Sequence, residues 1–398
     1  MDRHPDRAPD QFGDIIALLS PFASMPRNAR RGLDWCLAYG FCEFHGVRPA
    51  LARVLEEHVG GPPCPVWLTT QLANFQKRHA FAVMSTTAEI VSIAKALEAA
   101  GLAALFFKGA VLAQQVYGGA HLREFNDIDL LVNADEQEIA ADLLKELGYQ
   151  PIIADRLLRK TFFDYQGQHM FRNEATGSVV DLHWSLAGGL PFPISEDEAL
   201  RDRTWLPLGG VSIPIHKPEV LALILAGHGQ KEGWASFGWA LDFARFAAKF
   251  PDFDWAHASR TAKSKGSLRS LLTAILLVEH LFGHTIDADL AILAGQDRII
   301  VGDVERVLAK YDAGERRKLS EDLLGGLRLC ETTIQRAKAS LHLLTTRTIG
   351  DFEAMPLPPQ WWWAYRFTRP FRLVWQKVRG GAPAASAFFA EQAKKSKR

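Results

Sequence analysis

The chain has 398 residues, enough for about two to three domains of ordinary size. Its 48% hydrophobic and 23% charged content allow a packed core and exclude bulk disorder. A net charge of +1 does not single out nucleic acid as a partner, and four scattered cysteines without a CxxC exclude a disulfide framework or a zinc finger. The opening MDRHPDRAPDQFGD is polar and acid-bearing, so no ordinary secretory signal is expected. No uncharged apolar run reaches the roughly 18 residues of a transmembrane helix. These features point to a cytoplasmic protein.

Residues 1–101 read as helical. Asp14–Leu19 is a short amphipathic piece. Pro26 opens a second helix carrying Leu33, Trp35, Cys36, Leu37 and Phe41, and Val47–Val54 continues the pattern with Leu51 and Val54 on one face. Gly60–Pro65 breaks the chain. Thr69–Ala100 then reads as one long helix, with Leu72, Phe75, Val83, Ile90, Ile93 and Leu97 at helical spacing and Gly101 as its cap. His79 falls on the apolar face and reads as a packing residue.

From 102 the period changes. Leu105–Phe107 and Leu130–Val132 are short apolar runs of strand type. Asp135–Leu147 is a helix closed by Gly148, with Ile139, Leu143 and Leu144 inward. Lys160–Tyr165, Gln168–Phe171 and Ser178–Trp184 read as further strands, the last two joined by a turn at Asn173–Gly177. Residues 102–215 are thus an α+β unit between helical flanks. Gly188-Gly189, Pro191, Pro193 and Gly209-Gly210 break the chain around its end. A C-terminal helical domain is expected over 216–350, with helices at Glu219–Ala226, Trp239–Phe250, Ser267–Phe282 and Leu319–Leu344.

Asp127 and Asp129 stand one residue apart at the mouth of Leu130-Leu131-Val132. Side chains two apart on an extended backbone point the same way. Such a pair repels itself without a counter-ion, and carboxylate oxygens suit Mg²⁺. The spacing alone is weak evidence, since Asp252-Phe253-Asp254 and Asp287-Ala288-Asp289 repeat it where helix capping is the natural role. Context distinguishes the first pair. Val179-Val180-Asp181-Leu182-His183-Trp184 alternates as a strand, with Asp181 and His183 on one face. If that strand neighbours the Asp129 strand, Asp181 completes a three-carboxylate cluster able to hold two metal ions. Its bland alternative is a surface acid on an edge strand.

Phe107-Lys108-Gly109, Arg123 with Asn126-Asp127-Ile128-Asp129-Leu130-Leu131-Val132, and Val180-Asp181-Leu182-His183-Trp184 together resemble the uncharacterised bacterial nucleotidyltransferase family of the polymerase-β-like superfamily. Glu43-Phe44-His45-Gly46-Val47, Leu225-Ala226-Gly227-His228 and Trp239-Ala240-Leu241-Asp242 extend the resemblance over roughly residues 15–250. It implies a minimal nucleotidyltransferase core, a small mixed sheet with flanking helices, that moves NMP from an NTP to a hydroxyl or phosphate of a small-molecule or peptide acceptor and releases pyrophosphate. Asp127, Asp129 and Asp181 are the implied catalytic and metal residues, with Mg²⁺, or alternatively Mn²⁺, as the ion. Lys108, Gly109 and Arg123 are the nucleotide-binding candidates, although a surface position or a pair with Glu124 would also explain Arg123. His183, His228, Lys231 and Asp242 are acceptor-side candidates, against packing and capping roles. The superfamily's usual Gly-Ser or Gly-Gly turn is here Lys108-Gly109-Ala110, which supplies charge and backbone amides in place of a hydroxyl. This departure keeps open a second reading, a catalytically silent nucleotide-binding or interaction module.

The tail, 351–398, is basic and aromatic. Residues 360–398 hold Trp361-Trp362-Trp363, Trp375, nine Lys or Arg and one acid, Glu391. Three readings fit: a helix on an anionic membrane surface, a segment that docks an acidic partner or a nucleic-acid strand, and a helix packing its tryptophans on the domain. Pro370 is expected to interrupt the helix. Residues 380–398 read as a flexible basic end.

Overall fold

Helical spacing at the N-terminus resolves into three short helices, α1 (Gln11–Leu18), α2 (Trp35–His45) and α3 (Arg48–Glu56). Asp34 caps α2 by accepting from the amides of Cys36 and Leu37, and Gly46 closes it in the left-handed region. The computed structural model describes residues 11–22, 32–56, 64–162, 164–186, 191–314, 327 and 330–379. The expected helix start at Pro26, most of the break at 60–65, Gly188-Gly189, the first half of Leu319–Leu344 and the basic end at 380–398 lie outside those residues.

Helix α4 (Val66–Ala99) is the expected long helix, 34 residues, and it ends just before Gly101. By length and composition alone it could cross a membrane, with a stretch of mean hydropathy 1.4. Here Ile90, Ile93 and Leu97 pack it on the sheet, and Glu89 accepts a hydrogen bond from Tyr149.

The sheet runs through β1 (Ala104–Phe107), a one-turn helix α5 (Gly109–Leu112) widening into a π turn at Ala113–Tyr117, and β2 (Ile128–Val132). It continues with α6 (Gln137–Glu146), β3 (Tyr149–Pro151), α7 (Arg156–Phe162), β4 (Gln168–Asn173) and β5 (Val179–His183). Strand order is β1-β2-β5-β4-β3. Only β2 and β5 pair in parallel; the other three pairings are antiparallel. The β4–β5 turn forms as expected, with the Asn173 side chain accepting from the amide of Ala175.

Two local expectations are corrected. Lys160–Tyr165 is not a strand. Asp155 caps a helix there through the amide of Leu158, and Phe162 turns into an apolar cluster with Ile349, Trp362 and Tyr365. The fifth strand of the sheet, antiparallel to β4, is Tyr149–Pro151. Ile139 is 52% exposed and Ala140 takes its buried place, while Leu144 is buried and Leu143 packs partly buried against the core, as expected. One residue of helical phase separates the two choices.

After α8 (Glu196–Arg201), a two-stranded ribbon, β6 (Arg203–Leu208) and β7 (Val211–His216), turns at Gly209-Gly210 and packs β7 along β1. Then follow α9 (Pro218–Lys231), α10 (Phe237–Lys249), α11 (Trp255–Ser264), α12 (Leu268–Phe282), α13 (Ala288–Gln296) and α14 (Arg298–Ala313). Asp254 and Asp287 are N-caps of α11 and α13, as their settings suggested. The chain finishes its described part with α15 (Thr333–Thr345), α16 (Ile349–Ala354), a single turn at Pro359–Ala364 and α17 (Tyr365–Arg379). Pro370 does not break α17. Arg369 and Arg372 on either side of it both grip Asp351 and hold the helix in register.

Two cores result. One joins α1–α3 to α9–α14 and takes in Leu105 and Phe107 from β1. The other fills the space between the sheet, the second half of α4, α6 and the ribbon. Helices that precede and follow the sheet in sequence therefore meet at one edge of it.

Candidate active site

Strand β2 is buried along its whole length, so Asp129 is a carboxylate driven into the interior by its apolar neighbours. Its parallel register with β5 sets Asp129 opposite Asp181 and Leu131 opposite His183. Paired positions in a ladder share a face, and three candidate side chains converge. His183 Nε2 lies 3.1 Å from Asp129 Oδ1 and 3.5 Å from Asp181 Oδ2. Ligand atoms of Asp129, Asp181 and His183 all fall within 4.8 Å of one another.

On the other side of Asp129 stands β1, pairing Phe107 with Asp129. Strict alternation would send Lys108 to the opposite face. Instead Lys108 adopts φ 58°, the left-handed region, and its ammonium returns to Asp129 Oδ1 at 2.9 Å. A non-glycine residue there costs about 1–3 kcal/mol, a strain that gathers at functional sites. Gly109 follows at φ 46°, and a Cβ on it would meet the Asp127 carbonyl at 3.1 Å. The turn is thus pressed against the loop that carries Asp127.

These neighbours divide the charges. Burial alone raises Asp129, but the Lys108 charge and the His183 hydrogen bond together outweigh it and hold the carboxyl well below the usual range. Asp127, just before β2, has neither partner. Burial and then the Asp129 charge push it up to about 6, with Lys108 opposing. Burial raises Asp181 as well, against the nearby His183. Gln168 donates to Asp181 Oδ2 at 2.7 Å, yet Oδ1 is buried without a hydrogen-bond partner among the described residues. An unsatisfied buried acceptor is costly. A cation bound between the carboxylates would satisfy it, so oxygen-rich ligands with one imidazole fit a divalent ion here.

Two acceptor-side candidates face this cluster from α9. His228 packs edge-on against Trp239 at 5.1 Å. Burial first, then the charges of Lys108 and Lys231, hold its imidazole well below its ordinary pKa and therefore neutral. Burial likewise lowers Lys231, which lies within electrostatic reach of Asp181 and Asp129.

Arg123 and Asp242, expected as a triphosphate ligand and an acceptor-side group, are bound to each other. Arg123 Nε and Nη2 each donate to Asp242 at 2.8 Å, and Tyr117 adds a third hydrogen bond at 2.7 Å. The Glu124 carboxylate pairs with Arg48 at 2.6 Å, and Arg123 Nη1 donates to the Glu124 backbone carbonyl at 3.1 Å. His79, read as a packing residue, stacks on Phe75 and bonds the Arg123 carbonyl at 3.0 Å. Next to this lattice a cleft of about 330 Å³ opens between Arg48, Asn126, Trp239 and Asp242. Gln168 and Tyr117 were not foreseen. Their only signal is position, opposite His183 in the ladder and at the end of the π turn.

A small mixed sheet with paired acids on adjacent strands, a tight turn beside them and helices behind defines a nucleotidyltransferase core. The chain matches the model of a family described as uncharacterised nucleotidyltransferase over residues 31–283, and it belongs to that family. No curated protein matches it.

Proposed function

We propose that the chain is a cytoplasmic, Mg²⁺-dependent nucleotidyltransferase that transfers NMP from an NTP to a hydroxyl or phosphate of a small-molecule or peptide acceptor. The observation that carries this reading is the β2–β5 register, which sets Asp129 against Asp181 and leaves a buried carboxylate oxygen of Asp181 open. Family membership supplies the reaction class.

Asp127, Asp129 and Asp181, with His183 beside them, would hold Mg²⁺, or Mn²⁺ in its place. Bound there, a divalent ion neutralises phosphate charge and eases deprotonation of the acceptor. Lys108 carries the only ammonium hydrogen-bonded to the acids among the described residues. In this reading it follows the negative charge as it moves to the leaving pyrophosphate. The amides after Gly109 add donors at the same turn. The acceptor oxygen forms its bond to the α-phosphorus as the bond to pyrophosphate breaks, and Asp181 takes the acceptor proton. His228 and Lys231 border the acceptor's approach. Arg123 and Asp242 act as positioning residues that brace the Asp127 loop. The cleft beside Asn126 has a volume within the range of small-molecule sites and would seat one reactant.

Calorimetric titration of the full chain with each NTP, with Mg²⁺ and with EDTA, tests the reading. Mg²⁺-dependent binding that Asp129→Asn abolishes is expected. Binding of no NTP in Mg²⁺ would sink it and favour the silent interaction module.

A further inference from the structure

We propose that α17 and the turn before it form an interfacial docking element that seats the chain on an anionic lipid bilayer. The observation is a stripe of exposed apolar side chains along one face of this element. Phe367, Phe371, Val374 and Trp375 are 67%, 77%, 65% and 54% exposed, and Trp361 and Trp363 extend the row at about half exposure. Phe367, Phe371 and Trp375 recur every four residues on one face of α17, and Trp363, in the turn before it, meets Phe367 edge-on at 6.2 Å. The opposite face is spent on folding. Tyr365 and Trp362 sit in the cluster with Phe162, and Arg369 is buried on Asp351.

Charge selects the partner. From residue 332 to the end the sequence holds twelve Lys or Arg and three acids. The first 331 residues hold 34 Lys or Arg and 42 acids, so a chain that is nearly neutral in total is strongly divided. Of the three acids, Asp351 is sealed under Arg369 and Arg372. Exposed Arg366 flanks the stripe, and exposed Arg336 and Lys338 lie on α15, which packs against α17. Trp and Phe on one face with Arg and Lys at its edges is the pattern of a helix lying in a bilayer interface, drawn there by anionic headgroups. A nucleic-acid strand would need the arginines at the centre of the surface. Here Arg369 and Arg372 turn inward, and the centre is Phe367, Phe371 and Val374.

The test is flotation of the full chain with vesicles of phosphatidylcholine alone and of phosphatidylcholine with phosphatidylglycerol. Co-flotation with the second only, weakened by salt and accompanied by a blue shift of tryptophan emission, is expected. The double variant Phe367→Glu, Phe371→Glu should partition at least tenfold less with an unchanged thermal melt. Should its melt shift, Val374→Glu is read in its place and should lower partition in the same direction. Absence of co-flotation, equal binding to both vesicles, or binding indifferent to these substitutions overturns the proposal. So does salt-sensitive capture of an RNA or DNA oligonucleotide without vesicle binding.

Discussion

Asp127 and Asp129 have the same side chain and opposite electrostatics, because Lys108 and His183 both bond Asp129 and neither bonds Asp127. Asp127, raised to about 6, binds its proton more tightly in the folded chain than in the unfolded one. Between that value and the unfolded value near 4, metal-free stability therefore rises as pH falls. Asp127→Asn removes the buried charge. It should stabilise the metal-free chain by about 1–3 kcal/mol at pH 7 and by almost nothing at pH 4. Urea unfolding in EDTA at both pH values checks this, and a variant less stable than the parent at pH 7 would contradict it. The same shift predicts that Mg²⁺ affinity of the parent weakens as pH drops below about 6, measurable by calorimetry. Lys108→Met removes the cation bonded to Asp129. NTP affinity should fall roughly ten- to a hundredfold if the ammonium contacts phosphate, a loss of about 1.4–2.7 kcal/mol. Unchanged affinity would confine Lys108 to holding Asp129.

At the scale of elements, the turn between β1 and α5 and the end of α9 are both set by glycine. Gly109 is needed because its φ is positive and the Asp127 carbonyl approaches its α-carbon. Gly229 on α9 is needed for space, since a Cβ there would lie 2.4 Å from the ring of Trp234. Gly229→Ala should cost about 1–3 kcal/mol by forcing that buried ring aside. Chemical denaturation reads this directly, and a neutral result would mean that Trp234 can move. The strand periodicity of Val179–Trp184 and the apolar run after Asp129 made both strands of the candidate site legible. The helix at Arg156–Phe162 was not, because an apolar-polar run of that length satisfies either period and its partner cluster comes from residues 349–365.

For the whole molecule, one buried lattice ties the loop before Asp127 to the helices that follow. Arg123 reaches 119 residues along the chain to Asp242, and Tyr117 bonds the same carboxylate. Asp242 is 3% exposed, so Arg123→Met strands a buried charge and should cost about 3–5 kcal/mol. Replacing both, Arg123→Met with Asp242→Leu, should recover much of that loss. A double-mutant cycle by thermal or urea unfolding measures the coupling, and additive costs would show that the pair contributes little. The first core reinforces the same connection, because helices that precede and follow the sheet in sequence pack together against β1.

The sequence by itself determined the α+β class, the long helix α4, the acids at 127, 129 and 181, and the contrast with Asp254 and Asp287, which cap helices. These follow from local rules of period, capping and turn chemistry that act within a few residues. The tertiary structure decided which groups meet. It set Asp129 against Asp181, folded Lys108 back through a positive φ, and paired Arg123 with Asp242 in place of Glu124. It also exposed one face of α17 by using the other to bind Asp351 and Phe162. Such choices rest on contacts between residues far apart in the chain, where burial and charge pairing outweigh local preference.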